Sequence, residues 1–168
     1  MIFAVMSDSH DQIWNVRKAL ETIKKHEAEA IIHCGDFVAP FILKELNAAG
    51  LPVHGVFGNN DGDRFLLTKF SLTTLSHINL YDPVGELDLG GLKVAFTHQQ
   101  IIAEGLAATG KYGLVCFGHS HEASVEKVGE TVLLNPGEIM GKEGPPTFYL
   151  VDTSGPAYEK VTLSPQPA

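Results

Sequence analysis

Residues 1–36 read MIFAVMSDSHDQIWNVRKALETIKKHEAEAIIHCGD, and their pattern decides the fold. Ile2 to Met6 is an unbroken apolar run of strand length that stops at a polar loop carrying Asp8 and His10. Ile13, Val16, Leu20 and Ile23 then recur at helical spacing, and Ala30 to His33 is a second apolar run, ending at Gly35-Asp36. Strand, loop, helix and strand in that order predict a parallel sheet, because parallel neighbours need a crossover connection.

Working outward, Phe41, Ile42, Leu46 and Ala49 suggest a second helix with Pro40 in its first turn and Gly50 as its stop. Val53 to Phe57 is a third strand, running into Gly58-Asn59-Asn60-Asp61-Gly62. From about Ile78 short strands take over. Val84 to Leu89 alternates, Gly90-Gly91 offers a hairpin turn, and Leu92 to Thr97 returns to end at His98. Leu114 to Phe117, Ser124 to Val128, Thr131 to Leu134, Phe148 to Val151 and Tyr158 to Leu163 complete the strands, and Pro165 to Ala168 reads as a loose tail. About nine or ten strands with three or four helices exceed what a simple doubly wound sheet of this length holds, so two packed mixed sheets flanked by helices are expected. No internal repeat or low-complexity segment interrupts them.

The chain has 168 residues, 44% hydrophobic and 19% charged, the size and composition of a single domain over residues 1–168 with a substantial core. Its net charge of -8 argues against general nucleic-acid binding, which needs a basic footprint. The apolar start lacks a basic region and is broken at once by Ser7 and Asp8, unlike a signal peptide, and no apolar run reaches the ~20 residues of a membrane span. Cys34 and Cys116 sit in or beside apolar strands, where buried reduced thiols are the ordinary occupants, so a cytoplasmic location is expected.

Four clusters carry one kind of chemistry: Asp8-Ser9-His10, Gly35-Asp36, Gly58-Asn59-Asn60-Asp61 and Gly118-His119-Ser120-His121. Each follows an apolar strand and so projects from the carboxyl edge of a sheet. Asp8 and His10, two residues apart on a loop, can converge on one cation. Asp36 suits a bridging carboxylate, Asn59 offers a neutral carbonyl oxygen, and His98, His119 and His121 add imidazoles, which makes seven candidate ligands for two metals. Taken singly, each is an ordinary strand-end polar residue. Together, at successive strand ends, they have no common structural purpose.

These residues, with Asn135-Pro136-Gly137, occur in the order found in the calcineurin-like metallophosphoesterases, and the chain resembles the small bacterial and archaeal phosphodiesterases of that family over most of its length. The resemblance implies a four-layer α/β/β/α sandwich. It assigns Asp8, His10, Asp36 and His121 to one metal and Asp36, Asn59, His98 and His119 to the other. It implies two divalent transition-metal ions, manganese foremost, with Fe, Co, Ni or Zn as alternatives; mixed nitrogen and oxygen ligation suits these better than calcium. The implied reaction is in-line attack on a small phosphodiester by a metal-bridging hydroxide, with Asn59 or Asn60 donating to a phosphoryl oxygen. Two positions depart from the wider pattern. Asn60 stands where many members carry a proton-donating histidine, which favours diesters or good leaving groups, and Gln99 stands where glycine is common, narrowing the cleft or supplying a hydrogen bond.

The remaining polar residues read more plainly. His33, His54 and His77 are expected to be core or surface histidines, His26 solvated, and Asp11 and Asp61 turn-forming or supporting carboxylates. Trp14 is expected to pack on a neighbour rather than wall the cleft. Competing functions are a silent metal-binding scaffold of the same fold, which predicts eroded ligands, and a phosphomonoesterase or nucleotide phosphatase. Phe148 to Val151 is either an exposed strand for a homodimer or an internal one.

Overall fold

The computed structural model describes residues 1–155 and 157–164, so the tail from Pro165 onward lies outside the described residues. Among them, one sheet has the order β11-β10-β1-β2-β3-β4 and the other β5-β6-β7-β9-β8. In the first, β1 (Ile2–Met6), β2 (Ala30–His33), β3 (Val53–Val56) and β4 (Ile78–Tyr81) run parallel, while β10 (Thr147–Asp152) pairs antiparallel with β1 and β11 (Ala157–Thr162) antiparallel with β10. In the second, β6 (Leu92–Thr97), β7 (Leu114–Cys116) and β9 (Thr131–Asn135) are parallel, and β5 (Val84–Leu89) and β8 (Ser124–Val128) are antiparallel edges.

Period-two alternation explains why the sheets stack. On β1, Phe3 and Val5 point into the layer between the sheets, against Val94, Phe96, Leu114, Cys116 and Leu134. Ala4 and Met6 point the other way, onto α1 (Ile13–Lys25) and α2 (Pro40–Ala48) through Val16, Ala19, Ile23, Ile42 and Leu46. On the far side, Ala95, Val115, Phe117 and Leu133 of the second sheet meet Ala103 and Ala107 of α4 (Gln100–Ala108). The result is the expected α/β/β/α sandwich. A fully buried phenylalanine such as Phe3 or Phe96 contributes about 1.5–3 kcal/mol to holding the two sheets together.

The structure differs from the sequence expectation in three elements. Eleven strands and four helices occur among the described residues. The helix α3 (Arg64–Thr73) escapes the periodicity reading because only Leu67 on it is buried; it is started instead by Asp63, whose carboxylate accepts from the Leu66 amide at 2.9 Å. Likewise α4 hides its packing face in Ala103 and Ala107, and edge strand β4 buries only Ile78. Phe148 to Val151 is internal: β10 pairs on both sides and the run is buried, so it offers no dimer edge. No described helix is long and apolar enough to cross a membrane.

Candidate metal centre

Because β1, β2 and β3 run parallel in one sheet and β6 and β7 run parallel in the other, the loops after them leave from the carboxyl edges of the two sheets, and their side chains meet there. They bring the seven candidate ligands together. His121 Nε2 lies 3.3 Å from Asp8 Oδ1, and Asp8 Oδ1 lies 3.8 Å from His10 Nε2. His10 Nε2 is 3.4 Å and His98 Nε2 3.5 Å from Asp36 Oδ2. Asn59 Oδ1 is 2.8 Å from His98 Nε2 and 2.9 Å from His119 Nδ1. Ligand atoms of Asp8, His10 and His121 fall within 4.8 Å of one another, and so do those of Asp8, Asp36 and His98.

The local backbone is strained to achieve this. Asp8, His10, Asp36, His119 and His121 all have positive φ, between 39° and 69°. Left-handed conformations cost non-glycine residues on the order of 1–3 kcal/mol each and persist where surrounding contacts over-determine them. Two glycines are required by close approach. A Cβ on Gly58 would fall 2.1 Å from Asp36 Oδ1, and one on Gly118 would fall 2.0 Å from Ser7 Oγ and 2.7 Å from Asp8 Oδ2.

Hydrogen bonds aim the imidazoles. Cys34 O can only accept, so His98 Nδ1, 2.8 Å away, donates to it and the ring's Nε2 faces Asp36. Glu138 Oε2 accepts from His121 Nδ1 at 2.7 Å, which turns Nε2 toward Asp8. Asn60 donates its backbone N–H to Asp36 Oδ1 and its amide Nδ2 to Oδ2, both at 2.7 Å. Asp61 accepts from the amides of Gly58, Val38 and Asp36, binding two ligand loops together, and Asp11 accepts from the Ala39 amide, so both act as supporting carboxylates. Burial raises the Asp61 carboxyl above its usual range despite those three amides.

Charge and burial press on the same few atoms. Burial alone would raise the Asp8 carboxyl, but neighbouring His10 and Ser7 and the imidazoles of His98 and His121 outweigh it and hold Asp8 below the usual range. Asp8 raises His10 in turn, against desolvation, with help from the charges of Asp36 and Glu138. Even so, Ser7 Oγ, Asp8 Oδ1 and His10 Nε2 are buried without a hydrogen-bond partner. Asp8 Oδ1 therefore lies beside the equally unpartnered Nε2 of His10 and faces the Nε2 lone pair of His121, whose ring proton is held on Nδ1 by Glu138. Buried polar atoms are rarely left so, and a cation is the partner that satisfies acceptors converging from several directions. The donor set fits first-row dications.

Of the other histidines, His33 is buried, bonds Ser9 Oγ at 3.1 Å and stacks on Phe37, while His54 bonds the Tyr81 hydroxyl at 3.0 Å. Burial pushes His33 down to about 3. Trp14 is 56% exposed, with Arg17 over its ring, so it is a surface residue capped by a guanidinium rather than a packed one. Glu138 is the functional residue that sequence reasoning missed. It follows β9 as the ligands follow their strands, one residue beyond Asn135-Pro136-Gly137, and that shared strand-end position was the available signal.

The family model of the calcineurin-like phosphoesterase superfamily domain matches residues 1–155. A phosphodiesterase of Methanocaldococcus jannaschii is 36% identical over 166 residues, which cover 97% of this chain and 99% of that protein. Among solved structures, one described as a novel archaeal phosphodiesterase superposes with a TM-score of 0.89 at 35% identity, over 97% of this chain and 100% of that one. Vps29 of Chaetomium thermophilum superposes with a TM-score of 0.73 over 96% of each chain, and at 15% identity it shares the fold alone.

Proposed function

Because this chain belongs to the calcineurin-like phosphoesterase superfamily, we propose that it is a metal-dependent phosphodiesterase in which Asp8, His10, Asp36, Asn59, His98, His119 and His121 hold two divalent cations. The observation that carries this reading is that Asp8 Oδ1 and His10 Nε2 are buried without a hydrogen-bond partner, with the Nε2 lone pair of His121 3.3 Å from Asp8 Oδ1. Bound there, divalent cations supply Lewis acidity, which acidifies water and neutralises charge on phosphoryl oxygens. Manganese is the first choice among Mn, Fe, Co, Ni and Zn, given the mixed nitrogen and oxygen donors.

The chain's own residues do the rest. Asp36 has both oxygens oriented by Asn60 and retains lone pairs for shared ligation. His98 and His121 are held in the orientation that leaves Nε2 as the donor toward the centre, by the Cys34 carbonyl and the Glu138 carboxylate. Asn59 and the second amide hydrogen of Asn60 are the phosphate-contacting groups. Asn60 cannot deliver a proton to a departing alkoxide, so diesters with good leaving groups are preferred over monoesters. Phosphate-bearing substrates approach an acidic chain, and the cations make the cleft locally attractive to them. A silent scaffold predicts eroded ligands, whereas all seven positions here carry competent donors. Cys34 and Cys116 are buried and unpaired, which suits a cytoplasmic, reducing location.

The test is hydrolysis of a chromogenic phosphodiester by metal-stripped protein reloaded with manganese, beside an Asp36→Asn control. Turnover by the wild type alone is expected. Full activity in Asp36→Asn overturns the dinuclear reading, and two bound metals without turnover in either chain favour a scaffold.

A further inference from the structure

Gln99 and Arg64 border the proposed cation centre without a role in it. Between the starts of α3 and α4 lies a cavity of about 160 Å³, lined by the candidate ligands Asn59 and His98 together with Phe57, Arg64, Gln99 and Ile102. That volume is comparable to a cavity that takes up one benzene ring. The Arg64 guanidinium is laid over the Phe57 ring at 5.1 Å and donates to the Gly58 carbonyl at 2.9 Å and to Asp82 at 3.4 Å. A guanidinium held this way is a flat, pre-positioned surface with further N–H donors in reserve.

We propose that this cavity receives the ester substituent that the reaction does not displace, and that this substituent is a flat aryl or heteroaryl group. The proposal rests on the phosphodiesterase reading. A diester differs from a monoester by a second substituent on phosphorus, and that group must lie beside the ligands that hold the phosphoryl centre. This cavity opens on two of them. Phe57, Pro83 and Ile102 give it apolar contact, the Arg64 plane and the Phe57 ring favour a π-face, and the Gln99 amide can both donate to and accept from a ring heteroatom. Gln99 thus takes a definite place: where glycine would leave the cavity open, its side chain forms part of the wall.

Two measurements on manganese-loaded protein test this. Calorimetry compares diphenyl phosphate with dimethyl phosphate, and kcat/KM compares bis(4-nitrophenyl) phosphate with methyl 4-nitrophenyl phosphate, which share a leaving group and differ in the retained substituent. Burying one phenyl ring predicts an aryl preference of about tenfold or more in both. Arg64→Met and Gln99→Gly each shrink that preference, with bound manganese unchanged. Equal affinity for the two esters in the wild type, or a preference that survives both substitutions, overturns the proposal. Tighter binding of diphenyl phosphate without turnover of either chromogenic ester supports the cavity and overturns only the phosphodiesterase reading.

Discussion

Glu138→Gln isolates how one buried carboxylate controls an imidazole that it touches. Glu138 is 2% exposed and both its oxygens are engaged: Oε2 accepts from His121 Nδ1 at 2.7 Å, and Oε1 accepts from the backbone amides of Glu143 at 2.6 Å and Gly144 at 3.3 Å. A glutamine of the same shape has one acceptor side and one donor side. If its oxygen stays with the two amides, its NH₂ faces His121 Nδ1, and the ring must move its proton to Nε2, the atom directed at Asp8. If the oxygen turns to His121, the NH₂ meets two N–H donors instead. Either way a charge-assisted hydrogen bond worth about 1.5–3 kcal/mol is lost. Supporting groups of this kind change metal affinity by roughly 10–100-fold, which is about 1.4–2.7 kcal/mol and agrees with that figure. Calorimetric titration of metal-free protein with manganese should show one of two binding steps weakened by that factor in Glu138→Gln, with the other step little changed. A variant that titrates like the wild type refutes the argument that Glu138 acts through His121.

Three further outcomes are expected. Gly118→Ala drives a methyl group into Ser7 Oγ and Asp8 Oδ2, so it should destabilise the chain by about 1–3 kcal/mol in a thermal melt and lower its bound manganese; wild-type metal content would show that the loop relaxes freely. His33 has a folded pKa depressed by burial from 6.5 to about 3, so its contribution is fully present above pH 6.5 and is lost as pH falls, while the unfolded chain takes up a proton that the native state refuses. By pH 5 this amounts to about 2 kcal/mol, and denaturant melts of metal-free wild type and His33→Gln between pH 7 and 5 should converge in slope only if His33 is not the group responsible. Manganese at about 100 times its dissociation constant should raise the unfolding free energy by about 2.7 kcal/mol per site, and a chelator should reverse it; an unchanged melting temperature would speak against any bound cation.

Local physical chemistry made much of this protein legible in its sequence. The runs Ile2–Met6 and Ala30–His33 coincide with their strands because an unbroken apolar stretch between polar loops has few other homes in a parallel sheet. The ligand-type residues follow strands because a loop at a sheet's carboxyl edge is where a polar side chain can leave the core, so Asp8, Asp36, Asn59, His98 and His119 could be placed on one rim without coordinates. Helices α3 and α4 were less legible, since one is set by a single cap and a single buried leucine and the other packs through alanines that carry little periodic signal. Only the tertiary structure decided which of these groups meet. Asp8 accepts from the amide of His119, 111 residues away, and Glu138 reaches His121 from a different strand end. Such contacts depend on how two twisted sheets stack and on which backbone positions bear left-handed strain. Sequence periodicity specifies the face on which a side chain lies, and the partner across the gap is chosen by packing.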